Sequence, residues 1–180
     1  MPTADDVLTF WFVTHSEADW FGAKPEFDAE IARHFADLTA RAIVGGLAHW
    51  RVDASSRLAE IIVLDQFTRQ IHRGNAEAFS GDPLAFSLAH ELVRLGLDTE
   101  LEPARRMFAY LPFTHSERLE DHHVSLPLFE SLGIPKVLES EQGHIACLAR
   151  FGRYPRRNAA LGRASTEEEL AYIAEHDRMW

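Results

Sequence analysis

The 180 residues contain a single cysteine, Cys147, so an internal disulfide is excluded. A lone thiol suits a reducing compartment, and a cytoplasmic location is expected. Cys147 sits in HIACLARF, an apolar helical stretch, which reads as a buried and inert position. Long apolar runs are also missing. The densest, AEIIVL, falls far short of the roughly 20 residues that a membrane span needs. The opening MPTADDVLTFWF places two acids ahead of its apolar run and has no basic region, so it does not read as a signal peptide. Positive charge is scarce too: the formal net charge is −10, and nucleic-acid binding, which needs clustered cations against phosphate, is not expected.

Strand signals are nearly absent, with no sustained alternation of apolar and polar residues and no hairpin dipeptide between β-branched runs. No H-E-x-x-H and no G-x-S-x-G occurs, which removes the sequence marks of two hydrolase classes. None of the ten histidines has another four residues away. Glu120…His123 and Glu141…His144 are E-x-x-H pairs of the kind found in di-iron bundles, but Glu141-Gln142-Gly143 reads as a polar helix entrance without apolar flanks. Neither a metal nor another cofactor is expected.

What is present is helix. With 46% hydrophobic residues the chain has a globular composition, and its length fits one all-α domain over residues 1–180. The spacing predicts helices over about 4–13, 26–43, 56–72, 83–95, 103–110, 115–132, 137–152 and 167–177, joined by short loops that favour antiparallel pairs. Phe27, Ile31, Phe35 and Leu38 recur at helical spacing, Gly45-Gly46 stops that helix, and Asp82-Pro83 opens another. Phe10, Trp11, Phe12, Trp20 and Trp50 read as core packing.

Thr114-His115-Ser116-Glu117 has the form of a capping box directly after Pro112, and the same form recurs at Thr14–Glu17 and Ser165–Glu168. Glu117 therefore reads as a cap partner and Thr114 as the cap. His115, at the expected helix start, would stay neutral, and either hydrogen-bonds a ligand or braces a loop. A Ser116–His115 nucleophile pair is disfavoured, because adjacent helical residues diverge by about 100°.

The third helix, SRLAEIIVLDQFTRQIHRGN, carries Leu58, Ile62, Asp65, Arg69 and Arg73 close to one stripe, so a buried face turns charged partway along. Asp65 and Arg69 form an i,i+4 pair in the favourable order. Five arginines and no acid fall between Arg150 and Arg163. Phe67-x-Arg69-x-x-x-Arg73 has an echo in Phe151-x-Arg153-x-x-x-Arg157, where Gly152 suggests close packing and Pro155 a helix break. An acidic chain with one basic patch suits a small anion better than a polymer.

VLTFWF, LDQFTRQIHRG, YLPFTHSE and FGRYPRRNAALGRASTEEE, in this order over residues 7–170, resemble the bacterial family known as domain of unknown function 924. The resemblance implies a compact all-α domain similar to tetratricopeptide repeats, and no established reaction. Thr68 stands where the family's middle motif more often has proline, and Arg156 where the late motif often has histidine. Within or near these motifs lie Asp65, Gln66, Arg69, Arg73, His115, Ser116, Glu117, His144, Arg153, Arg157 and Asn158, the candidate ligand-binding residues. The expected function is a pocket in which the arginines hold a phosphate or carboxylate, with His115 and His144 the best candidates for acid–base chemistry. The alternative is a peptide-binding module whose arginines clamp an acidic partner. Oligomeric state is not legible.

Overall fold

The computed structural model describes residues 1–176, and among them there is no strand. The helices are α1 (Ala4–Thr9), α2 (Glu17–Trp20), α3 (Pro25–Ile43), α4 (Ala54–Ile62), α5 (Thr68–Ile71), α6 (Asp82–Arg94), α7 (Pro103–Thr114), α8 (Leu119–Ser131), α9 (Pro135–Phe151) and α10 (Glu167–Glu175). The fold is all-α, as expected. The expected end of the last helix at 177 lies outside the described residues. No helix among them is long and apolar enough to cross a membrane. The chain divides into two compact units: Met1–Arg73 with Glu77–Pro112, and Gly74–Ala76 with the chain from Phe113 onward.

In the first unit α3 shows how residue pattern becomes structure. Pro25 opens it and Glu26 and Asp28 face the positive helix end. Phe27, Ile31, Phe35, Leu38 and Ala42 bury one stripe, each large side chain contributing about 1.5–3 kcal/mol. Gly45, at φ 78°, closes the turn by donating its N–H to Ala42. The aromatic core centres on Trp11, stacked on Trp20 at 5.8 Å and met edge-on by Phe108 at 5.4 Å. The Trp20 indole N–H donates to the Trp11 carbonyl at 2.9 Å.

Helices α4 and α5 are one helix interrupted by a π turn, Val63–Phe67. The Thr68 hydroxyl donates to the Leu64 carbonyl. Gly81 lies so close that a Cβ there would collide with the same carbonyl oxygen.

In the second unit α8 and α9 form a hairpin around a turn at 132–134. Ser125 and His122 of α8 both reach Glu141 of α9, as antiparallel packing requires. Cys147, Leu148, Tyr154 and Tyr172 form its apolar core, with Leu119 and Phe151 against it.

Several local expectations are corrected. Helix α7 continues through Pro112 to Thr114, since a proline so close to the helix end forfeits one hydrogen bond only. His115 therefore lies in a turn, and α8 starts four residues later. Thr114 and Glu117 do not cap it: the Thr114 hydroxyl donates to Glu141, and Glu117 bonds Arg163 and Tyr154. The other two boxes exist with the register moved. The Ser16 N–H bonds Asp19, and Thr166 pairs reciprocally with Glu169. Gly152 ends α9 in the left-handed conformation, φ 67°, with open space where a Cβ would stand, so conformation and not close packing requires it. Pro155 opens a 3-10 turn instead of breaking α9. The Phe-x-Arg echo is not a structural repeat, because Arg69 is helical whereas Arg153 follows the left-handed glycine.

Candidate functional site

Of the sequence-predicted residues, Asp65, Gln66, Arg69 and Arg73 belong to the first unit and the other seven to the second. Asp65 is buried at the middle of the π turn. The Arg69 fork donates to both oxygens of Asp82 at 2.8 and 3.0 Å and lies 3.2 Å from the Asp65 carboxylate. Burial opposes its charge, but Asp65 and Asp82 outweigh that and raise its pKa. Gln66 donates to Asp65 at 2.5 Å. Arg73 forks onto Asp28 at 2.6 and 2.8 Å. The seam is an ion-pair network of the protein's own groups.

In the second unit Arg153 forks onto Glu169 at 2.6 and 2.9 Å. Its fork, the Thr166 N–H and the Asn158 amide hold the Glu169 pKa down to about 2. Asn158 is buried and donates to Glu169 and Ser165. Arg163 forks onto Glu117 at 2.7 and 2.9 Å, and Glu117 also accepts the Tyr154 N–H at 2.7 Å. Burial would raise the Glu117 pKa, yet Arg163, the Tyr154 N–H and the nearby Arg157 bring it below the usual value. Ser116 donates to Asp121 at 2.5 Å. Glu117 thus pins the 153–163 segment to the turn before α8.

The most buried polar cluster was only partly foreseen. Glu141, 1% exposed, accepts hydrogen bonds from the Thr114 hydroxyl (2.6 Å), the Ser125 hydroxyl (2.5 Å) and His122 Nδ1 (2.8 Å). His122 Nε2 faces the Ser116 carbonyl at 3.0 Å. The Tyr154 hydroxyl donates to the Thr114 carbonyl at 2.7 Å and lies 3.3 Å from the same nitrogen. A carboxylate on one ring nitrogen and a carbonyl on the other require a hydrogen on each, so His122 is an imidazolium paired with Glu141. Burial opposes that charge; the bonds to Glu141 and Ser116 overcome it and raise the His122 pKa. Burial likewise opposes the Glu141 charge, and its three donors lower its pKa nonetheless.

His144 lies one helical turn beyond Glu141 on the buried stripe of α9. Its ring stacks on His122 at 6.5 Å and meets Tyr154 edge-on at 5.4 Å. Its Nδ1–H donates to the Ser140 carbonyl at 2.8 Å. Burial first, and then the fields of His115, His122 and Arg157, hold its pKa well below the histidine value, so it is neutral. Arg157 lies over the Tyr154 ring, 4.8 Å from its centre. Burial pushes the Tyr154 phenol far above its ordinary pKa. The arrangement gathers His115, His144, Arg157 and Tyr154 beside a charge-balanced His122–Glu141 pair.

Glu141, His122, Ser125, Tyr154 and Arg163 were missed as site residues. Glu141 was legible in principle: Glu141, His144 and Leu148 form an i, i+3, i+7 stripe deep in α9, which begins six residues before Glu141 and makes a helix entrance there untenable. Among the described residues no three His, Cys, Asp or Glu side chains gather to hold a metal ion. The first unit has an open depression of about 410 Å³ lined by Asp5, Asp6, Phe10, His34 and Phe35 among others; it holds none of the predicted residues and has the wrong charge for an anion.

Comparison with known proteins finds relatives of unknown function. Residues 7–177 match the family described as bacterial protein of unknown function, DUF924. A solved structure of a protein of unknown function from Agrobacterium tumefaciens is 35% identical, with a TM-score of 0.90 over 96% of this chain and 97% of that one. No curated protein matches.

Proposed function

The chain belongs to the bacterial DUF924 family, and we propose that its second unit binds a small carboxylate- or phosphate-bearing anion at His115, His144 and Arg157. The observation that carries this reading is the convergence of basic groups on one buried ring. Arg157 lies over the Tyr154 ring, that ring meets His144 edge-on, and His144 stacks on His122, whose charge is already matched by Glu141. An anion set among them meets a permanent guanidinium and two imidazoles in a setting of low water content, where such bonds are strongest. The half-buried positions of His115 and Arg157 give it access. Arg69, Arg73 and Arg153 hold carboxylates of the protein itself.

The test is a thermal-shift comparison of the intact protein and its Arg157→Gln and Arg153→Gln variants with sulfate, phosphate and small carboxylates. At about 100 times its Kd an anion stabilises by about 2.7 kcal/mol, which raises Tm by several degrees. The intact protein and Arg153→Gln are expected to show the shift, and Arg157→Gln to lose it. If no anion shifts the intact protein, the reading falls and the peptide-binding alternative takes its place.

A further inference from the structure

We propose that His122 and Tyr154 form a proton-operated hydrogen-bond switch. When the His122 ring loses its Nε2 proton, the Tyr154 hydroxyl turns from the Thr114 carbonyl to that nitrogen, and the turn at 115–118 is released. The switch stands apart from the proposed anion site and operates whether or not an anion binds.

With the proton in place every partner is served. His122 is fully buried, its Nδ1–H donates to Glu141 at 2.8 Å, and its Nε2–H donates to the Ser116 carbonyl at 3.0 Å. The Tyr154 hydroxyl gives its hydrogen to the Thr114 carbonyl at 2.7 Å, so it turns a lone pair toward Nε2, 3.3 Å away. Glu141 and neutral His144 face the ring from α9, and Asp121 adjoins it on α8. Tyr154, with Arg157 over its ring, faces it from the segment after α9. Thr114 and Ser116 bring uncharged groups, and Glu117 in the same turn is committed to Arg163 and the Tyr154 N–H. Burial opposes the imidazolium, and the bonds to Glu141 and Ser116 outweigh it, which puts its transition above the ordinary 6.5.

Loss of the proton cannot be absorbed in place. The remaining hydrogen stays on Nδ1, because Glu141 is a charged acceptor and the Ser116 carbonyl a neutral one. Nε2 then directs a lone pair at two oxygens that direct lone pairs back. Rotation of the Tyr154 hydroxyl supplies the missing hydrogen, at the expense of its bond to the Thr114 carbonyl. The Thr114 and Ser116 carbonyls both lose these donors, and a buried carbonyl left unmet is unfavourable. The segment relieves that cost by turning them to water. Glu117 holds the Tyr154 N–H and Arg163, so the loosening passes to residues 153–163. One H⁺ leaves for solvent, and no bond between heavy atoms changes.

Imidazole ¹⁵N spectra and amide hydrogen exchange of the intact protein, between about pH 5 and 9, test the switch. His122 is expected to pass from imidazolium to the Nδ1–H tautomer above 6.5. The amides of Ser116, Arg118, Tyr154 and Arg163 are all hydrogen-bonded in the acid form. Their protection factors are expected to fall with the same midpoint, by up to about tenfold per pH unit, while those of α3 hold. Tyr154→Phe removes the hydroxyl that fills Nε2, so its His122 midpoint is expected to move to higher pH; a hydroxyl that only packs would leave it in place. A His122 ring that keeps one form across the range, or that titrates with protection unchanged, overturns the proposal. So does an unchanged or lower midpoint in Tyr154→Phe. Should that variant fail to fold, the intact protein decides, by whether the His122 and exchange midpoints coincide.

Discussion

Glu60 of the first unit and Glu141 of the second are both buried almost completely, and the two are satisfied in opposite ways. In the first, Glu60 receives the fork of Arg51 at 2.8 and 2.7 Å, and that guanidinium, with 26% of its side chain exposed, still reaches water. In the second, Glu141 receives two hydroxyls and a histidine, and neither Glu141 nor His122 has any exposed side chain. An arginine fork brings a charge that does not titrate in the working range. A histidine brings one that does. The first arrangement is indifferent to pH near neutrality, and the second is built to respond to it.

The comparison is broken most forcefully at Glu141. Glu141→Leu leaves His122, Thr114 and Ser125 buried without their acceptor, and is expected to lower unfolding stability by about 3–5 kcal/mol in urea titrations. Its pH signature follows from the two shifts. The raised pKa of His122 makes its contribution complete below its unfolded value of 6.5 and lost as pH rises through the higher folded value. The lowered pKa of Glu141 makes its contribution complete above 4.5 and lost as pH falls through the lower folded value. The pair therefore stabilises most between 4.5 and 6.5. Neutral His144 works against it there, its own contribution being complete above 6.5 and lost on acidification. The intact protein is expected to lose stability above neutrality, and Glu141→Gln to abolish that decline; an unchanged decline would assign it elsewhere.

The first unit sharpens the contrast. Arg51→Ala is expected to cost about 2 kcal/mol, less than the loss at Glu141 because water reaches the vacated side of Glu60. The smallest effect belongs to a pair that is fully at the surface. Arg150 and Glu168, with 51% and 62% of their side chains exposed, approach to 2.7 Å. Arg150→Ala is expected to change stability by less than about 1 kcal/mol, and any larger loss would mean that the Phe151 and Tyr172 faces beneath the guanidinium matter more than the charge.

The helices were legible because their causes are local. Proline at first turns, glycine after last turns and the apolar stripe of α3 lie within a few residues of what they determine. Asp65 and Arg69 were legible for the same reason, four residues apart on one helix. Asp82, the stronger partner of Arg69, sits thirteen residues away on another helix and left no mark. Glu141 joins Thr114, Ser125 and His122 across 27, 16 and 19 residues, and Tyr154 reaches Thr114 across 40. Such bonds follow from how helices pack, which no short pattern records. Where a local pattern had two explanations, as in Thr114-His115-Ser116-Glu117, the tertiary partner decided: Glu117 answers Arg163. The same logic places Arg153 on Glu169 and removes it from the ligand set.

The π turn at Val63–Phe67 also has a geometric consequence for everything downstream of it. One additional residue in a helix offsets the angular phase of all later side chains by about 100°. Leu58 and Ile62 upstream and Arg69 and Arg73 downstream are therefore two separately clocked stripes, set against each other by a single inserted step. Gly81, lying against Leu64, holds that step in place. Removing one residue from the turn would rotate Arg69 off Asp82 and Arg73 off Asp28 together, although neither arginine nor its partner had been changed.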